Sequence, residues 1–307
     1  MLEDAVASSG DAQRARPSNV RVGPNYRRRL RRRILGALAC IVGSAVIIAG
    51  ALYTAWGQGA DTLMMEGAMG WRGLISRVEF LATGLVSPLA IIVVAILVAF
   101  VAVLRQRPTL AGRAIGVVIG ANITTQVLKW MLVRPDLDVT TALANSLPSG
   151  HVTVAMSIAL ALLIVAPVGT RGLAAWMGAL WSTLMGISVM VMAWHRLSDV
   201  LVAVLITGAW ALLLAPIEER RRHGVTIQRI VRIGTLGAFL LALVLSFFAL
   251  WGVDMTQAAN LGPSDYGFAH FLNSQPWRRG FLAAAGSVWI LSVVGVVTYE
   301  VDRLCGE

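Results

Sequence analysis

The chain has 307 residues, 57% of them hydrophobic and only 14% charged, with a mean hydropathy of +0.73. That excludes an ordinary soluble domain, in which about a quarter of the residues are charged. The formal net charge of +10 comes from arginines gathered in short polar segments beside apolar runs. These clusters lack aromatic interleaving, so a membrane accounts for them better than nucleic acid does.

Residues 1–33 read as a disordered, basic cytoplasmic tail that closes on the block Arg27–Arg33. The apolar run that follows is too long for a signal peptide and lacks a small-residue cleavage site, so it reads as an anchor. Apolar runs near membrane length predict spans over 34–56, 83–104, 114–133, 151–168, 174–194, 199–215, 234–252 and 281–299. The expected fold is therefore all-α, a polytopic membrane bundle of about eight transmembrane helices. The short loops alternate in charge. Arg105, Arg107 and Arg113 follow the second run, Arg171 the fourth, and Arg220, Arg221, Arg222, Arg229 and Arg232 the sixth. The positive-inside rule puts these loops and both termini in the cytoplasm of a plasma (inner) membrane. Segments 57–82, 134–150, 195–198 and 253–280 then face the outside or periplasm. The first mixes apolar and polar residues and reads as an interfacial helix. The last carries the turn residues Gly262-Pro263 and Pro276. Residues 34–215 form the expected core. Residues 216–307 add a cytoplasmic loop and two spans, read as lateral support or oligomer contact. Cys40 and Cys305 are too far apart to suggest a disulfide framework and read as two unpaired thiols.

Chemistry-bearing residues gather on the outward side. Lys129 is the only lysine and lies in an apolar stretch near the end of the third run, followed closely by Arg134-Pro135. Such a cation either snorkels to the interface or faces a polar cavity. Pro148-Ser149-Gly150-His151 opens the fourth run. Free N–H groups at a helix start attract anions, Ser149 suits an N-cap, and Gly150 lets a ligand approach the backbone. His195 and Asp199 are four residues apart at the junction of the fifth and sixth runs. On a helix this spacing puts imidazole and carboxylate on one face, where the acid can hold one ring nitrogen protonated and free the other to attack. A salt bridge explains the pair equally well. No three residues show metal-ligand spacing.

These residues resemble the type 2 phosphatidic acid phosphatase family, whose motifs are Lys…Arg-Pro, Pro-Ser-Gly-His and Ser-Arg…His-x-x-x-Asp. The resemblance spans about residues 83–215. It implies a six-helix phosphatase core like that of the vanadium haloperoxidases and a mechanism without cofactor or metal. His195 would form a phosphohistidine, Asp199 would orient it, and His151 would protonate the leaving oxygen. Lys129, Arg134, Ser149 and the Gly150 amide would hold the phosphoryl oxygens. Two departures stand out. Four residues separate Lys129 from Arg134, where the family has six. The arginine expected after Ser188 is Val189, and Arg196, Arg278 or Arg279 would have to replace it.

The expected function is a lipid phosphate or polyprenyl (pyro)phosphate phosphatase at the outer face, with membrane lipids as partners and no nucleic acid. A phosphotransferase using the same site and a non-catalytic lipid-binding or transport protein are the alternatives.

Overall fold

The computed structural model describes residues 24–74, 108–167, 169–217, 225–262 and 266–306. Among these, every regular element is helical. The long helices are α1 (Pro24–Tyr53), α2 (Ala55–Ala68), α3 (Pro108–Met131), α4 (Gly150–Val165), α5 (Arg171–Val191), α6 (Leu197–Leu214) and α7 (Val225–Leu250). Two short helices, α8 (Met255–Ala258) and α9 (Ala269–Ser274), lead into α10 (Trp277–Gly306).

Among the described residues, five helices are long and apolar enough to cross a membrane: Tyr26–Tyr53, Arg171–Val191, Leu197–Leu214, Arg229–Leu250 and Trp277–Cys305. The chain is a multi-pass membrane protein. Of the three other expected spans, α4 is apolar but only 16 residues long and stops before Pro167. In α3 the apolar pattern is broken by Arg113, Asn122, Thr124, Thr125, Gln126 and Lys129. The run 83–104 lies outside the described residues, as do Arg105, Arg107 and Arg220–Arg222.

Three expectations change. The first helix starts at Pro24, so the arginine block is helical rather than part of a disordered tail. The cause is pairing at its far end. Arg32 forms a bidentate ion pair with Glu300 at 2.6–2.7 Å. Arg33 donates to the carbonyls of Leu212 and Ala215. Arg113 donates to Leu214 and Ala215, so two guanidiniums cap the C-terminus of α6, where the helix dipole favours cations. The second change concerns α2, which is no interfacial helix. Gln58 to Ala68 are all buried, against α1, α10 and the ends of α5 and α6.

The last helix is not lateral support either. It packs on α2, α5, α6 and α7. A Cβ on Gly67 would stand 2.7 Å from Leu282, one on Gly186 2.9 Å from Ile290, and one on Gly208 2.8 Å from Val297. Three glycines on three helices thus receive side chains of α10. In return, Gly286 of α10 receives Met190 of α5. Helix association in lipid relies on such close approach, because apolar burial adds little between segments already out of water. By contrast, α7 packs mainly on α10 and shows Ile230, Leu240, Phe247 and Trp251 to its surroundings. Cys40 and Cys305 are both buried.

A candidate active site at the mouth of the bundle

The C-terminal ends of α1, α3 and α5 meet the N-terminal ends of α4, α6 and α10, together with α2. The arginine caps described above lie at the opposite end. All three sequence motifs therefore share one mouth.

The path to His195 begins where α5 stops. Trp194 N donates to Val189 O and Ala193 N to Met190 O, the paired bonds of a Schellman motif. Ala193 takes the left-handed conformation there, with φ of 59°. Arg72 donates to Val191 and Met192 carbonyls and closes the same helix end. The turn swings the chain so that His195, 7% exposed, enters the mouth. Its own N–H also binds Val189 O. The Val189 side chain meanwhile lies in the apolar core, so this position offers the mouth no cation.

Asp199 is fully buried in the first turn of α6. Its Oδ2 stands 3.2 Å from His195 Nδ1 and also accepts from Ser146 Oγ at 2.5 Å and Arg196 N at 3.0 Å. A carboxylate can only accept here, so Nδ1 carries a proton, and in the neutral imidazole Nε2 is the nitrogen that keeps its lone pair. The second histidine, His151, sits half-buried at the start of α4, its ring centroid 6.2 Å from that of His195 and 5.7 Å from Trp194. Ser149 is the N-cap, accepting from Val152 N, and its own N–H donates to Asp199 O, which ties α4 to α6. A Cβ on Gly150 would meet nothing within 4 Å, so the helix start borders open space.

Arg134 lies just past α3. It is 5% exposed, and Nε, Nη1 and Nη2 all lack a hydrogen-bond partner among the described residues. Asp61, Asp199 and Arg196 are close enough to act on its charge. Lys129, half-buried, is close enough to act on His151. Arg196 is turned to protein acceptors: Thr62 Oγ1, Ser146 Oγ and Ala142 O. Arg278 donates to Ala249 O and Trp251 O at the end of α7, and Arg279 to Asn273. Arg196 and Arg278 thus commit all three guanidinium nitrogens to protein acceptors, whereas Arg279 commits Nη2.

Several residues at this mouth escaped sequence reasoning. Asn145 donates to Leu132 O and Leu147 O, closing the loop between α3 and α4. Thr140 and Thr141 bind Tyr266 O, which staples that loop to the segment before α9. Asp61 of α2, 8% exposed, accepts from Ser198 N and Oγ. Burial, with Asp199 nearby, pushes its carboxyl up to about 6 despite these bonds and the Arg196 charge. The available signal was an acid beside the apolar triplet Leu63-Met64-Met65 on the same side as the motifs.

Residues 84–223 match the family model of the PAP2 superfamily. Over that segment the chain is similar to the PAP2 superfamily. The match takes in α3 to α6 with every motif residue, whereas α1, α2, α7 and α10 fall outside it. Members of the PAP2 superfamily are phosphatases, which supports a phosphoester hydrolase here. No curated protein and no solved structure matches the chain.

Proposed function

We propose that this protein hydrolyses a lipid phosphate or polyprenyl (di)phosphate at the mouth, through a phosphohistidine on His195. The carrying observation is Arg134. A buried guanidinium with three unpartnered nitrogens is costly, by several kcal/mol as an order of magnitude. A phosphoryl group is the natural complement, since its oxygens accept from the planar fork two at a time. Lys129 and the free amides at the start of α4 add positive potential beside it.

In this reading His195 Nε2 attacks phosphorus while Nδ1–H stays on Asp199. The N–P bond forms as the P–O bond to the alcohol or phosphate leaving group breaks, and His151 gives that oxygen its proton. His151, now neutral, then takes a proton from water, whose oxygen attacks phosphorus. The P–N bond breaks and phosphate leaves, with His195 restored. Fixed charges and positioning carry most of such a reaction. A lipid substrate fits because a head group held at the ends of apolar helices leaves its tail in the bilayer. The arginine-rich opposite end favours an outward-facing mouth.

The test is phosphate release from detergent-solubilised diacyl and polyprenyl phosphates and diphosphates, with and without a chelator. Wild type is expected to turn over under both conditions, and His195→Ala to be slower by about 10³-fold or more. Equal rates for the two proteins would sink the assignment. Activity that needs added metal would sink the metal-free mechanism.

A further inference from the structure

Helix α6 carries Asp199 in its first turn, yet its N-cap residue is Arg196. Arginine has no acceptor, so it cannot cap the helix as Ser, Thr, Asp or Asn would. The acceptor comes from a distant part of the chain. Asp61 Oδ1 takes Ser198 N at 2.9 Å, and Oδ2 takes Ser198 Oγ at 2.5 Å. The same helix face holds the neighbouring pieces of the mouth. Thr62 Oγ1 accepts from Arg196 Nε at 3.3 Å, and Gln58 Nε2 donates to Pro135 O at 2.9 Å, next to Arg134. Positions 58, 61 and 62 are one helical stripe, buried and polar.

We propose that Asp61 is a positioning residue for the His195–Asp199 pair: a cap supplied across the fold that fixes the first turn of α6 and hence the aim of the imidazole. Residue 61 lies outside the matched segment 84–223, so the site is completed by a helix from beyond the PAP2 match. The inference rests on the phosphatase reading for its kinetic consequence, but its geometric claim can be tested separately.

Three purified full-length variants are compared with wild type: Asp61→Ala, Asp61→Asn and Ser198→Ala. With a turned-over lipid phosphate, Asp61→Ala is expected to lower kcat by about 10²-fold and leave KM within about threefold, since orientation and not binding is lost. Asp61→Asn, which keeps an acceptor for Ser198 N, is expected to recover kcat to within about tenfold of wild type. Ser198→Ala, which loses only the hydroxyl contact, is expected to fall between them. The second readout is the rate at which diethyl pyrocarbonate modifies His195, followed by mass spectrometry with exposed His270 as internal control. Loosening the turn is expected to speed His195 modification by about tenfold in Asp61→Ala and to leave His270 unchanged. A folded Asp61→Ala with wild-type kcat and wild-type His195 modification overturns the proposal. If that variant does not fold, wild-type values for both readouts in Asp61→Asn and Ser198→Ala overturn it. If wild type releases no phosphate from any substrate, the phosphatase reading falls, and the modification rates alone decide the role of Asp61.

Discussion

Asp199 meets His195 through a single oxygen. Oδ2 gathers the imidazole at 3.2 Å, the Ser146 hydroxyl and the Arg196 amide, while Oδ1 is buried without a partner among the described residues. Three donors aimed at one oxygen hold the carboxylate in a fixed rotamer. Asp199→Asn must keep its carbonyl on those donors and put its amide at the vacant side. The shape is then preserved while the charge opposite the imidazole is gone. Phosphate release is expected to fall by about 10²–10⁴-fold with little change in melting temperature. A variant within threefold of wild type would make the pair a structural salt bridge.

Arg134 gives a binding prediction independent of turnover. Inorganic phosphate or orthovanadate should raise the thermal stability of wild type in detergent. The gain is about 2.7 kcal/mol when the ligand is at a hundred times its Kd. Arg134→Met should show none of this shift at the same concentration. An equal shift in both proteins would remove Arg134 from the phosphate cradle.

Gly150 separates stability from activity. Open space surrounds the position of its missing Cβ, and it is the first residue of α4. Gly150→Ala should fold as well as wild type or better, by a few tenths to about 1 kcal/mol, because alanine restricts the unfolded chain. The methyl group would stand where a phosphoryl oxygen approaches the amide, so activity should drop at least about tenfold. Undiminished turnover would mean that no ligand approaches there.

Ala193 makes the opposite case. Its left-handed backbone costs an alanine about 1–2 kcal/mol, against about 0.5–1 kcal/mol for the extra unfolded-state freedom of glycine. Ala193→Gly should therefore stabilise the protein by about 1 kcal/mol, a rise of about 2 °C in melting temperature. A fall in melting temperature would contradict the Schellman geometry that leads into His195.

Asp61 should leave a mark on the pH dependence of stability. Its folded value of about 6 lies above the roughly 3.9 of an unfolded aspartate. Between these values the folded state binds more protons, so this group's contribution to stability falls as pH rises towards 6 and is then constant. Asp199, Arg196 and Arg134 surround it and set the size of the effect. Relative to wild type, Asp61→Asn should be more favourable above pH 6 than at pH 5, by about 1–2 kcal/mol. Parallel stability curves for the two proteins from pH 5 to 7.5 would refute this.

The sequence made the motifs and their shared end legible, because helix starts, prolines and arginine loops are local or additive signals. Ser149 caps α4 as its residue type implies, and His195 and Asp199 do meet, but not on one helix face: His195 lies in the bend before α6, and the turn after α5 brings it to the carboxylate. What was hidden is everything set by packing across the chain. The helical reach of Arg27–Arg33 depends on Glu300 and on carbonyls of α6. The burial of α2 depends on glycines that admit another helix, which no hydropathy pattern records. The role of Asp61 depends on an arginine occupying a cap position 135 residues later in the chain. Val189 reads as a lost ligand in a linear motif. In three dimensions its side chain belongs to the core, and its carbonyl holds the turn that presents the histidine.

The threading of α10 through three glycine seats carries a consequence for biogenesis. Residues 277–306 are the last described part of the chain to leave the ribosome, yet their side chains fill notches on α2, α5 and α6. Until they insert, α2, α5 and α6, which carry Asp61 and Asp199 and flank His195, share an unfilled seam. The order of synthesis thereby delays completion of the mouth, and a chain arrested in translation before residue 277 would leave those three seats unfilled.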